Sequence, residues 1–80
     1  MEATITLAYP NKKTAKAVAD AISPDNFKTP EGLQIETHIE NNNVVTTIRY
    51  EGGLATFTAT IDDLLFSASV AEKALGVTSK

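Results

Sequence analysis

Cysteine is absent from the sequence, and histidine occurs only once, as His38. Without cysteine the chain can form neither a disulfide nor a thiolate metal site, and one histidine is too few for a His-rich metal cluster. The lack of cysteine also gives no sign of an oxidising compartment. We therefore expect the chain to hold no metal and no cofactor.

Long apolar runs and a secretory signal are missing as well. No uninterrupted apolar run approaches the roughly 20 residues that span a bilayer. The N-terminus lacks the charged-then-apolar pattern of a signal peptide. We therefore expect a cytoplasmic chain that has no membrane partner.

Basic charge is scarce. Seven lysines and arginines stand against ten acidic residues, which gives a formal net charge of −3. Autonomous nucleic-acid binding needs a concentrated basic face that neutralises phosphates, so this balance argues against it. The densest basic cluster consists of Lys12, Lys13 and Lys16. Three lysines at the start of a helix more often form a solvated face than a binding site.

The short length limits how much surface the fold can bury. The 80 residues are predicted to form one domain, residues 1–80. A domain of this size buries only about 60% of its unfolded surface, so its stability is marginal. Because cysteine and metal-ligand clusters are missing, an oligomeric partner is the remaining common support.

The first third of the chain predicts a strand and a helix. Residues 3–9 alternate between apolar and polar side chains, which indicates a half-buried strand 1. Asn11 can then cap a helix by accepting from an early backbone N–H. Helix 1 has apolar residues at i, i+3, i+4 and i+7, namely Ala15, Val18, Ala19 and Ile22. It should end at Ser-Pro-Asp-Asn, residues 23–26, because Pro24 disfavours helical geometry in the preceding residue. Residues 27–32 are predicted to form a loop.

Strands 2 and 3 are predicted at residues 33–40 and 44–50. Asn41-Asn42-Asn43 is the hairpin turn between them, since asparagine tolerates the left-handed backbone of tight hairpins. If strand 3 lies between strands 1 and 2, every neighbouring pair is antiparallel. One face of this sheet carries Ile5, Leu7, Ile35, Ile39, Val44, Ile48 and Tyr50. The other face is mixed and tolerates water: Thr4, Thr6, Gln34, Glu36, His38, Val45, Thr47 and Arg49.

Residues 54–61 give conflicting signals. Their composition favours a strand that follows a turn at residues 51–53. Their apolar positions, however, continue one helical face towards Gly76 and Val77, which can end a helix. That face consists of Leu54, Phe57, Ile61, Leu64, Leu65, Ala68, Ala71 and Leu75. Periodicity predicts one helix of about 22 residues, whereas propensity predicts a strand and a shorter helix. The residues alone leave both open.

Candidate catalytic residues are weak. Asp62 and Asp63 are adjacent, so a helix directs them about 100° apart and they cannot act as a carboxylate dyad. His38 lies on the polar face of a strand without a Cys, Ser or carboxylate constellation. Gly52-Gly53 reads as a turn, because no strand–GxxxxGK–helix context surrounds it. We predict that the chain is not an enzyme.

The order strand, helix, hairpin and long helix resembles the small dimerising subunit of the KEOPS complex, over nearly all 80 residues. The segment at 23–26 is similar to the family's Pro-Asp turn. The segment FTATIDDLLF, at 57–66, is similar to its second-helix signature, roughly Leu-Arg-(Gly/Ala)-(Ser/Thr)-(Ile/Val)-Asn-Ser-x-Leu. The fitting positions are Phe57, Ala59, Thr60, Ile61 and Leu65. Thr58 replaces the family's Arg, and Asp62 its usual Asn. The chain would be the standard subunit, a divergent archaeal form, or the paralogue that pairs with the standard subunit.

The resemblance implies an α+β fold. Two helices would pack on one face of a three-stranded antiparallel sheet, in the order strand 1, helix 1, strand 2, strand 3, helix 2. The residue pattern agrees with this layout. The resemblance also favours one long second helix over a strand at residues 54–61.

The resemblance also implies a function. KEOPS makes the threonylcarbamoyl modification on adenosine 37 of tRNAs that read ANN codons, and its metal-dependent transferase subunit carries the chemistry. A kinase-like ATPase and a tRNA-recruiting subunit complete the core. The small subunit would be a non-catalytic scaffold that docks on the transferase subunit and reaches tRNA indirectly. It would form a homodimer, or a heterodimer with a paralogous subunit.

Two surfaces are predicted to contact these partners. Strand 1 should be an uncharged edge strand, which invites pairing with a second chain, so the dimer contact is predicted at Thr4, Ile5 and Thr6. On helix 2, a helical wheel directs Leu54, Phe57, Ile61, Leu65, Ala68 and Leu75 towards the sheet. The opposite side carries short and apolar residues, where we predict a docking seam for the transferase subunit. The docking seam comprises Ala59, Thr60, Asp63, Phe66, Ser67 and Val70.

Two other classes of function stay open. The small α+β layout suggests a stand-alone KH-like nucleic-acid-binding module, although a GxxG loop between two helices is missing and the net charge is acidic. A small-molecule-binding or enzymatic domain of ferredoxin-like size would need a deep polar pocket, for which the sequence offers no residues.

Overall fold

The computed structural model describes residues 1–22 and 31–76. The elements are β1 (Glu2–Ala8), α1 (Lys12–Ala21), β2 (Gln34–Glu40), β3 (Asn43–Arg49) and α2 (Leu54–Leu75). The strands form one sheet in the order β1-β3-β2, and both pairs are antiparallel. The predicted α+β fold and its element order are therefore confirmed.

The sheet register separates an apolar face from a polar one. Ile5 and Thr37 both lie opposite Thr46 across the central strand, which places all three on the face that the helices cover. Thr46 is buried there, and its hydroxyl lies 3.0 Å from that of Thr37, so each hydroxyl has a partner. The predicted apolar face packs as expected, with Val44 and Ile48 fully buried and its flanking members half-buried: Ile5, Leu7, Ile35, Ile39 and Tyr50.

Helix α1 packs on the sheet through a narrow apolar stripe. Asn11 caps the helix as predicted, since its Oδ1 accepts from the Thr14 backbone N–H at 2.8 Å. Ala15, Val18 and Ile22 are fully buried, and α1 contacts β2 and β3. The predicted apolar stripe is therefore confirmed.

The tight turns lie close to where the sequence predicted them, but the hairpin turn is one residue shorter, because Asn43 is already the first residue of β3. Asn41 adopts the left-handed conformation, with φ of 58°, in the β2–β3 hairpin. Gly76 does the same at the end of α2, with φ of 72°, and its N–H points to the Lys73 carbonyl at 3.2 Å. The predicted turn at residues 23–26, most of the 27–32 loop and the contact of Val77 lie outside the described residues.

One helix covers the ambiguous segment. Helix α2 runs from Leu54 to Leu75, so the periodicity was right and the strand suggested by propensity does not form. The reason is burial, because Phe57, Leu64 and Ala68 enter the core along one line of the helix. A strand would alternate its faces and break that line.

Three leucines predicted to face the sheet are exposed instead. Leu54, Leu65 and Leu75 expose 66%, 41% and 46% of their surface. At 100° per residue, Leu54 and Leu65 lie about 60–80° away from the buried line, beyond the narrow strip that contacts the core. Leu75 is on the line but in the last turn, past Ala71, which still packs against the core.

Candidate protein-docking surfaces

Strand β1 forms an edge of the sheet, and its hydrogen bonds to β3 determine which of its backbone groups point to the open side. Within the described residues it pairs on one side only, with β3. The Tyr9 N–H donates to the Asn42 carbonyl at 3.2 Å, and the Tyr50 N–H donates to the Met1 carbonyl at 2.8 Å. In an antiparallel pair these bonds alternate, so residues 2, 4, 6 and 8 direct their backbone groups to the open edge.

The three predicted dimer-contact residues have different orientations. Thr4 and Thr6 are exposed, and their backbone groups lie on the open edge. The Thr4 hydroxyl is 3.5 Å from that of Thr47 on the adjacent strand. Ile5 is half-buried, and its side chain packs against the core. A second chain at this edge would therefore form hydrogen bonds with the backbone of the threonines, while the side chain of Ile5 holds the strand against the core.

Charge distinguishes the two sheet edges. On β1 the one charged side chain is Glu2, which accepts from the Arg49 Nε at 2.5 Å. This carboxylate raises the pKa of Arg49. On β2 the exposed residues Glu36, His38 and Glu40 alternate along the strand, and the last two pair at 3.1 Å. Charged side chains disfavour pairing of an edge with another strand, so β1 is the more receptive edge.

The docking seam lies on the surface of α2. Phe66 and Val70 expose 71% and 51% of their surface, and Ala59 and Asp63 are also exposed. Thr60 is half-buried, and its hydroxyl donates to the Thr56 carbonyl at 2.8 Å. The seam therefore presents an aromatic ring and a valine among short side chains.

Part of the docking seam forms one wall of a groove. The groove has a volume of about 360 Å³ and is lined by Ala21, Phe66, Ser67, Val70, Ala71 and Ala74. Ala21 comes from α1, so the groove runs between the two helices. The sequence analysis missed Ala21, because a small residue at the end of a helix carries no signal until the neighbouring helix is placed. Short side chains in such a groove allow another helix to approach closely.

The opposite flank of α2 faces the β1 side of the molecule. Tyr9 follows the last residue of β1, and its partly buried hydroxyl donates to Glu72 Oε2 at 2.7 Å. Burial, together with this hydrogen bond and the charge of Glu72, raises the pKa of Tyr9 well above its usual range. Leu54 and Leu65 lie within about 20° of Glu72 around the helix. Two exposed leucines therefore lie on the flank that faces the open β1 edge.

A second cavity, of about 490 Å³, lies at one end of the sheet. It is lined by Met1, Glu2, Gly32, Gln34, Arg49, Tyr50 and Glu51. Its two cationic groups are already engaged, because the N-terminal ammonium donates to the Tyr50 carbonyl at 2.6 Å and Arg49 pairs with Glu2. The described residues also contain no group of three or more His, Cys, Asp or Glu side chains that could hold a metal ion. We assign no chemistry to this cavity.

Helix α2 is long and apolar enough to cross a membrane by length and composition alone. Two features favour a surface helix instead. Asp62 and Asp63 lie near its middle, where each carboxylate would cost about 2.5–3.5 kcal/mol in a bilayer. Phe57, Leu64 and Ala68 are also buried against the rest of the fold. That the chain has no membrane partner stays a prediction.

Comparison with known proteins gives one result. Residues 2–75 match the model of the family described as transcription factor Pcc1. The matched range includes both segments on which the resemblance to the small KEOPS subunit was based, and that resemblance is confirmed. No curated protein matches the chain.

Proposed function

The chain belongs to the Pcc1 family of non-catalytic KEOPS subunits, and from this premise we propose that it is a scaffold that dimerises and docks on the transferase subunit. Its role would be to hold the transferase in an assembly that makes threonylcarbamoyl adenosine at position 37 of tRNA. The chain itself would perform no chemistry, and it would act in the cytoplasm.

The exposed aromatic of the docking seam carries this proposal. Single exposed apolar residues are common on protein surfaces. Phe66 differs because Val70 is exposed beside it and both line a groove whose other members are short. Aromatic side chains are enriched among the residues that dominate interface energetics, and here the ring lies beside a groove lined mainly by short side chains. We therefore assign the transferase contact to the docking seam.

Dimerisation is supported by a different part of the molecule. The open β1 edge offers unpaired backbone groups at Thr4 and Thr6, and Leu54 and Leu65 are exposed on the α2 flank that faces this edge. Antiparallel pairing of two β1 edges would join two sheets into one of six strands. It would also bring the two α2 flanks towards each other, which would cover leucines that the single chain leaves in water.

The state of assembly tests both parts of the proposal. Light scattering should give twice the 8.5 kDa chain mass for the purified chain, and a larger complex after the transferase subunit is added. A monomer would contradict the homodimer, and unchanged mass after mixing would contradict docking. If the partner is a paralogue, native mass spectrometry of the co-expressed chains should show a 1:1 heterodimer, and only homodimers would exclude it.

Two double-lysine variants, one at each edge of the sheet, test where the dimer contact lies. Thr4→Lys combined with Thr6→Lys places two like charges on the β1 edge, so the dimer should dissociate at low micromolar concentration. The matched control, Gln34→Lys with His38→Lys, adds two lysines to exposed positions of the β2 edge and should leave the dimer intact. Circular dichroism checks that both variants fold. A fully dimeric β1 variant would rule out this edge.

The KH-like alternative finds no supporting observation. The two helices are separated by the β2–β3 hairpin, and the sequence contains no GxxG segment that could join them as a nucleic-acid-binding loop. Filter binding of the isolated chain to RNA at low salt would reveal such a module by tight binding.

A further inference from the structure

Three lysines lie on one exposed flank of α1. Lys12, Lys13 and Lys16 are all exposed, and they fall within an arc of about 100° around the helix. They make up three of the seven basic residues of the chain. Without them the formal net charge of −3 would be −6, so positive charge is concentrated on this flank of an otherwise acidic chain.

The position of these lysines opposes the stability of the helix that carries them. The N-terminus of a helix has a partial positive charge, which favours acidic residues in the first turn. The first turn of α1 contains none and begins with two lysines. Lys16 lies three and four residues beyond them, and like charges at these spacings repel each other. Folding alone therefore gives no reason for this arrangement.

The ion pairs of His38 with Glu40 and of Arg49 with Glu2 do not include a lysine of this flank, so they do not offset the repulsion. Three clustered cations are thus available to a partner that carries closely spaced negative charges.

We propose that Lys12, Lys13 and Lys16 form an auxiliary contact for the phosphate backbone of the RNA on which the assembly acts. The inference rests on the proposed function, since the acidic chain would not hold RNA by itself. A phosphate backbone is the complementary partner because it presents regularly spaced charges to a row of cations. The contact adds affinity within the complex, and it leaves sequence recognition to other subunits.

The test uses the chain assembled with the transferase subunit. The probe is an unmodified transcript of a tRNA that reads ANN codons, titrated by fluorescence anisotropy from 50 to 200 mM salt. Replacing all three lysines by glutamine should weaken binding about tenfold or more at the lower salt. It should also flatten the plot of log affinity against log salt by roughly 2, because each lost phosphate contact removes about 0.7–0.9 from the slope.

Two further readouts separate RNA contact from a structural role. Replacing the three lysines by arginine keeps the charge and should retain both affinity and slope. The glutamine variant should melt at the same or a higher temperature than the wild type, because repulsion and the unfavourable helix-end charge are removed. Weaker RNA binding from a chain that is at least as stable supports the proposal.

The outcomes also distinguish this inference from the proposed function. Gel filtration first establishes that each variant joins the transferase subunit. Normal assembly with unchanged affinity and slope would overturn the lysine contact alone. Loss of assembly in the glutamine variant would assign the lysines to an acidic protein surface, which also overturns it. Failure of the wild-type chain to assemble would overturn the proposed function.

Discussion

Two phenylalanines of α2 differ sharply in burial. Phe57 exposes 8% of its surface and belongs to the core, whereas Phe66 exposes 71%. Phe66 lies nine positions after Phe57, a rotation of about 900° or two and a half turns of the helix, so the rings lie on opposite sides. Residue type and local composition are alike, and only the angular position differs. The helix therefore uses one apolar composition for two purposes.

The neighbours of each ring make the contrast clearer. Phe57 shares its line with Leu64 and Ala68, which are buried and hold α2 on the fold. Phe66 adjoins Val70 and a groove towards α1 that nothing in the described part of the chain fills. The inner line should determine stability, and the outer line should determine what the chain binds.

The largest expected effect on stability follows from removing a buried side chain of α2. Phe57→Ala should lower the free energy of unfolding by about 3–5 kcal/mol, because it removes a buried ring and leaves a cavity. Phe66→Ala should change it by no more than about 0.5 kcal/mol, as for an ordinary surface substitution. Urea denaturation of the isolated chain measures both.

A milder variant keeps this test valid if Phe57→Ala does not fold. Phe57→Leu retains an apolar side chain and should lose less stability than Phe57→Ala, yet more than Phe66→Ala. Equal losses of unfolding free energy in Phe57→Ala and Phe66→Ala would contradict the assignment of the two rings to different roles.

A smaller effect is expected at the hydrogen bond that ties α2 to β1. Tyr9→Phe removes the hydroxyl that donates to Glu72 at 2.7 Å and should cost about 1.5 kcal/mol, since hydrogen bonds to charged groups are stronger than neutral ones. Thermal unfolding measures the loss. An unchanged melting temperature would mean that the hydrogen bond between Tyr9 and Glu72 does not stabilise the packing of α2.

Alkaline pH sharpens this prediction. The fold raises the pKa of Tyr9 above its ordinary 10.0, so the neutral hydroxyl is favoured in the folded chain. The stability that the neutral Tyr9 hydroxyl contributes is complete below pH 10.0, the pKa of tyrosine in the unfolded chain. That stability is lost as the pH rises further, towards the pKa of Tyr9 in the folded chain. Tyr9→Phe should therefore lose less stability than the wild type between pH 9 and pH 11.

Most of the fold could be predicted from the sequence because its signals are local. The Asn11 cap, the apolar stripe of α1 and the asparagine hairpin each depend on residues a few positions apart. The long α2 needed a decision between propensity and periodicity. The residues left it open, and burial of Phe57, Leu64 and Ala68 shows why the helix forms.

The surfaces were harder to predict because they depend on packing between elements. A helical wheel gives angles, but it does not give the width of the strip that a three-stranded sheet and a short helix can cover. Leu54 and Leu65 were therefore assigned to the core and are exposed. In the same way, Ala21 joins the groove because α1 lies beside α2, which no pattern in residues 12–21 indicates.

The most direct test of the docking seam is calorimetric titration of the transferase subunit with the wild-type chain, Phe66→Ala and a control, Thr58→Ala, an exposed residue of α2 outside the seam. Phe66→Ala should weaken binding roughly thirtyfold, about 2 kcal/mol, while its melting temperature stays near that of the wild type. Thr58→Ala should bind as the wild type does. Unchanged affinity for Phe66→Ala, or a large fall in its melting temperature, would contradict the assignment of Phe66 to a docking surface.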